Sequence, residues 1–66
     1  MIPEETQMIV ENINIQLQDS SGNWRTFSVA ANHPQRITSE MQALQKRFPD
    51  KRIRAVDSSN RIVDML

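Results

Sequence analysis

Sixty-six residues without a cysteine make one small domain that neither a disulfide framework nor a thiolate metal site can staple. Eight basic and eight acidic residues leave a formal net charge of zero, which argues against a strong non-specific polyanion binder. The chain opens at Met1 with no signal-peptide pattern and contains no stretch long and apolar enough to span a bilayer, so a cytoplasmic protein is the expectation.

Residues 1–7 contain Pro3, Glu4, Glu5 and Thr6 with little to bury and read as a flexible terminus; residues 8–66 read as a single α+β domain. From Met8 onward Ile9, Ile13, Ile15 and Leu17 alternate with Asn12, Asn14, Gln16 and Gln18, the period of a half-buried strand. Asp19-Ser20-Ser21-Gly22-Asn23 gathers turn formers, and Gly22 is the chain's only glycine. Trp24 to Ala31 alternates again. Phe27, Val29 and Ala31 take one side, Trp24, Thr26 and Ser28 the other, so a hairpin with a loop of about five residues follows.

The stretch from Asn32 to Pro49 is helical by pattern. Ile37, Met41, Leu44 and Phe48 fall on one face, with Ala43 beside the stripe. Pro34 suits the first turn, where its missing N–H costs least, and Pro49 stops the ladder. Lys51 to Asp57 reads as a third strand, Asp57-Ser58-Ser59-Asn60 as a turn, and Arg61 to Leu66 as a short fourth strand.

Ile15-Gln16-Leu17-Gln18-Asp19-Ser20-Ser21 rhymes with Ile53-Arg54-Ala55-Val56-Asp57-Ser58-Ser59. Turn chemistry arising twice accounts for the rhyme more readily than a duplicated unit. In either case Ile15, Leu17, Ile53 and Ala55 are expected to face the helix together. The element order is ββαββ, predicting one amphipathic helix packed on a four-stranded, mainly antiparallel sheet. With a right-handed crossover through the helix, the expected strand order is 2-1-3-4.

Catalytic chemistry needs nucleophiles, acids or metal ligands brought together, and the sequence offers little of it. His33 is the only histidine and stands at the helix start. The serines are turn residues, and no glycine-rich phosphate loop exists. Asp19, Asp57 and Asp64 could approach one another at the hairpin ends, but exposed turn aspartates read better as caps. Nothing points to a cofactor, and an enzyme is not expected.

The sheet face away from the helix is more informative. Strand parity puts Trp24, Thr26 and Ser28 there with Asn12, Asn14 and Gln16, then Arg52, Arg54 and Val56, and Val63 and Met65 from the fourth strand. Trp and Arg are the residues enriched at binding hot spots. Charge is also uneven: residues 1–32 sum to −3 and residues 33–66 to +3. Lys46 and Arg47 are accounted for by a helix C-terminus, whereas Arg52 and Arg54 are not. Trp24, Thr26, Lys51, Arg52, Arg54 and Val56 are therefore the candidate binding-face residues. A solvated sheet face is the plain alternative.

Gly22-Asn23-Trp24-Arg25, the run from Arg47 to Asp57, and Arg61-Ile62-Val63-Asp64 together resemble a group of short bacterial proteins of unassigned activity, over most of the chain from Asn14 onward. The resemblance implies a bacterial cytoplasmic protein and carries over no site residues. The leading expectation is a non-catalytic binding or assembly module that uses its open sheet face, as a homodimer or with an acidic protein segment. The alternative is weak RNA binding through Trp24 and the basic residues Lys51, Arg52 and Arg54.

Overall fold

The computed structural model describes residues 12–66, so the flexible terminus expected over 1–7 and the strand start at Met8 lie outside the described residues. The element order is β1 (Asn12–Gln18), β2 (Trp24–Ala31), α1 (Pro34–Arg47), β3 (Ile53–Val56) and β4 (Ile62–Met65). The four strands form one antiparallel sheet in the order β2-β1-β3-β4, as the sequence predicts.

The helix starts at Pro34, after His33 in extended geometry, and ends where the Phe48 N–H donates to the Leu44 carbonyl oxygen. Lys46 and Arg47 occupy its last turn, where the helix dipole favours cations. Ile37, Met41 and Leu44 are buried against Ile13, Ile15, Ala30, Ile53 and Ala55, with Leu17 and Phe48 packed at the margin. Ala43, expected beside the stripe, is exposed. Four-residue spacing from Ile37 to Met41 and three from there to Leu44 give a narrow seam. It rests on β1, β2 and β3 and leaves every residue of β4 exposed.

The two hairpin loops are built alike. In the first, the N–H groups of Ser21 and Asn23 both donate to Asp19 Oδ1 at 2.9 Å. In the second, those of Ser59 and Arg61 donate to Asp57 Oδ1, also at 2.9 Å. Each loop has one residue of positive φ at the same place, Gly22 at 89° and Asn60 at 65°. Those two residue types adopt that region at least cost. The likeness extends into the sheet: replacing each residue by its counterpart exchanges the pair Ile15–Ala55 with Ile53–Leu17, leaving Gln16–Arg54 on the local twofold axis.

The expected parity of β2 fails midway. Ile15 pairs with Ser28 but Gln16 pairs with Thr26, so Phe27 is an extra, bulged residue. Beyond it the faces exchange. Ser28 and Ala30 lie on the helix side, where the Ser28 hydroxyl meets Glu40 Oε1 at 3.4 Å and Ala30 is buried. Val29, expected inward, is instead 55% exposed on the open face opposite Asn14. Phe27 does turn toward the helix, but at its C-terminal margin, 47% exposed. Its ring meets that of Phe48 edge-on at 5.8 Å, with the Arg47 guanidinium over both rings. A second bulge, at Val63 between Ile62 and Asp64, sends Val63 to the helix side, beside Pro34 and Ile37, rather than to the open face.

These assignments are testable by stability. Leu44→Ala is expected to destabilise the fold by about 2–5 kcal/mol, whereas Val29→Ala should change it by less than about 0.5 kcal/mol. Equal losses in denaturant titrations would restore the uninterrupted parity. A Cβ at Gly22 has room, meeting only Gln18 Nε2 at 3.9 Å. Gly22→Val is therefore expected to cost about 1 kcal/mol or more through φ alone. A Gly22→Val chain as stable as the parent would contradict the positive φ.

Candidate sheet-face binding surface

The face opposite the helix is organised in rows across the strands. Cross-strand pairing places Thr26, Gln16, Arg54 and Met65 in one row, and Val29, Asn14, Val56 and Ile62 in the next. Gln18 and Trp24 pair at the end nearer Arg52, whose carbonyl accepts from the Gln18 N–H. The first row is hydrogen-bonded laterally. Gln16 Nε2 donates to Thr26 Oγ1 at 3.3 Å, and Arg54 Nε donates to Gln16 Oε1 at 2.8 Å. The Arg54 guanidinium lies 4.3 Å from the centre of the Trp24 ring, so stacking and a hydrogen bond hold it in place. Arg52 Nη2 approaches Met65 Sδ at 3.9 Å.

Of the six candidate residues, Trp24, Thr26, Arg52 and Arg54 share this surface, Trp24 and Arg54 half-buried and Thr26 and Arg52 exposed. Val56 shares the face by pairing with Asn14, yet it is only 1% exposed and is absent from the helix-side core. It is floor rather than contact surface, which corrects its place among the exposed candidates. Lys51 lies in the turn before β3, its N–H donating to the Phe48 carbonyl oxygen, and not in the strand. Ser28 and Val63, expected here, belong to the helix side. In their place the bulges bring Val29 and Ile62, 55% and 53% exposed, to the two ends of the row that holds Asn14 and Val56. The one legible hint of this in the sequence is that the alternation of β2 dissolves in the doublet Ala30-Ala31.

The aspartates do not converge. Asp19 follows β1 and Asp57 follows β3, and because those strands are antiparallel their loops sit at opposite ends of the sheet. Asp64 pairs opposite Ala55. Asp19 Oδ2 accepts from Arg25 Nε at 2.8 Å, and Asp57 Oδ2 from Arg61 Nε at 3.1 Å. Asp57 is buried rather than exposed, its carboxylate capped on both oxygens. The Arg25 bond and the loop amides hold the Asp19 carboxyl below the ordinary aspartate value of 3.8. For Asp57 the Arg61 amide leads, with Ser59 and the Arg61 charge adding to it. His33 makes no side-chain capping bond and lines a shallow hollow of about 360 Å³ with Arg36 and Ser39. Among the described residues no three of His, Asp and Glu are grouped to hold a metal ion. None of the described helices is long and apolar enough to cross a membrane.

No family model matches the chain, and no curated protein or solved structure is significantly similar to it.

The depressed loop carboxyls have a stability consequence. A group whose folded pKa lies below its unfolded one contributes fully above the unfolded value and loses that contribution as pH falls through the folded one. Thermal stability is therefore expected to hold between about pH 5 and 7 and to fall below about pH 4. Asp19→Asn with Asp57→Asn keeps the Oδ1 acceptors but removes both charges, and its melting profile over the same acid range should be flatter than the parent's. An equally steep profile would show that these loops do not carry the acid sensitivity.

Proposed function

We propose that this protein is a non-catalytic binding or assembly module that works in the cytoplasm and docks another protein, or a second copy of itself, on its open sheet face. One observation carries the reading. The Trp24–Arg54 stack is anchored by Gln16 and stands beside exposed Val29, Ile62 and Met65 on a face that no described element covers. A pre-ordered aromatic and guanidinium lose little conformational freedom on binding, which is what makes such groups effective anchors. Exposed aliphatic side chains next to them supply the apolar area that association requires.

A second reading, weak binding of single-stranded RNA, is favoured by the same stack, since an indole paired with a guanidinium can also take a base. Sheet-based RNA readers usually present two or three aromatics, whereas Trp24 is the lone aromatic of this face among the described residues.

Trp24→Ser separates fold from function. Because Trp24 is half-buried on an uncovered face, the substitution should cost no more than about 1 kcal/mol of stability. Any self-association seen by sedimentation velocity, or any shift on adding oligouridine, should be lost with it. Oligouridine binding should also weaken steeply between about 50 mM and 200 mM salt, whereas an apolar dimer should not. A Trp24→Ser chain that fails to fold, or one that associates as the parent does, would remove the face from the mechanism.

A further inference from the structure

The chemistry of the open face selects among protein partners, and this step rests on the reading of that face as a docking surface. Its described residues include Arg52 and Arg54 and no carboxylate. The other arginines near the sheet are engaged: Arg25 with Asp19, Arg61 with Asp57, and Arg47 with the Phe27 and Phe48 rings. Among the described residues Arg52 and Arg54 meet no carboxylate. Arg54 is held by a glutamine and an indole, which orient it without neutralising it. A second copy laid face to face would bring two more guanidiniums to the interface and, from the described residues of this face, no Asp or Glu side chain to meet them, and like charges at an interface are costly.

We propose that the occupant is an extended acidic segment of a partner protein, with carboxylates at two alternate positions and an aliphatic residue at the next. The spacing follows from the strand. Arg52 and Arg54 lie two residues apart on one face, about 6.6 Å, which is also the separation of alternate side chains in an extended peptide. The next residue of the series on β3 is Val56, with Ile62 beside it on β4, Asn14 beside it on β1, and Val29 beyond Asn14 on β2. A segment running along β3 thus places its carboxylates over the two guanidiniums and its aliphatic side chain above the Val56 floor, against exposed Ile62. Trp24 stands beside the Arg54 contact, its ring centre 4.3 Å from the guanidinium. Apart from the Asn14 amide, the row through Val56 offers a phosphate no donor and no charge, and its three aliphatic residues favour a protein segment over nucleic acid.

The test is a chemical-shift titration of the full chain with the peptide acetyl-Thr-Glu-Thr-Glu-Thr-Val-Thr-amide, its reversed order, and the same peptides with Gln for Glu. Saturable shifts are expected at the Nε–H groups of Arg52 and Arg54, the Trp24 indole N–H, and the methyls of Ile62. The Gln peptides should bind about tenfold or more weakly, because the charge-assisted bonds are gone. In an Arg52→Ser, Arg54→Ser chain that keeps its dispersed spectrum, Glu and Gln peptides should become equivalent. Equal binding of Glu and Gln peptides to the parent would overturn the acidic partner while leaving the face a docking surface. Tighter shifts of the same residues by oligouridine would replace the partner with nucleic acid, and a stable dimer that the peptides do not compete with would replace it with a second copy. No saturable shift from any of these probes, in a chain that sediments as a monomer, would overturn both the partner and the surface.

Discussion

The seating of one helix across β1, β2 and β3 is the contact on which the rest of this structure depends. Ile37, Met41 and Leu44 meet Ile13, Ile15, Ile53 and Ala55, and no disulfide supplements them. A fully buried aliphatic side chain of this kind is worth about 1.5–3 kcal/mol, so a few of them account for most of what so short a chain can have. The seam is narrow because only one stripe of one helix is available. It leaves β4 exposed and has no counterpart on the opposite face among the described residues. Core and candidate binding surface are thus two results of the same shortage of covering elements.

The aspartates show how a charged residue can be withdrawn from chemistry by structure. Asp19 and Asp57 each close a five-residue loop by accepting two backbone N–H groups on one oxygen and a guanidinium N–H on the other. A carboxylate so satisfied is stabilised as the anion, the opposite of what a general acid near neutral pH requires. Because β1 and β3 are antiparallel, the two loops occupy opposite ends of the sheet, and the repeated motif yields a local twofold relation between the central strands rather than a pair of neighbouring acids.

The bulges decide what the open face presents. Each hairpin carries one on its outer strand, at Phe27 and at Val63, and so on the two edges of the sheet, where bulges also discourage unwanted strand pairing. Phe27 leaves for the helix margin, letting small Ser28 and Ala30 lie beneath α1, and Val29 is turned outward by the same step. Val29 and Ile62 therefore end the row next to Arg54 because both outer strands slip by one residue relative to their partners.

The sequence by itself determined the element types, their order, the bounds of β2 and the stripe of α1, because these follow from local periodicity and local steric preference; the strand order followed from them only with the handedness of the crossover. Gly22 and Asn60 suit positive φ wherever they occur, and Pro34 and Pro49 frame a helix regardless of what it packs on. Strand parity was enough to place Trp24, Thr26, Arg52 and Arg54 together, since no bulge intervenes between those residues and the turns or strands that orient them. Only the tertiary structure decided that Val29 and Ile62 join them, that Ser28 and Val63 do not, that Val56 is floor, and that Asp57 is buried. A bulge is a property of two strands, one residue more on one than on its partner, and burial is set by neighbours across the sheet. Neither quantity is carried by the period of a single strand.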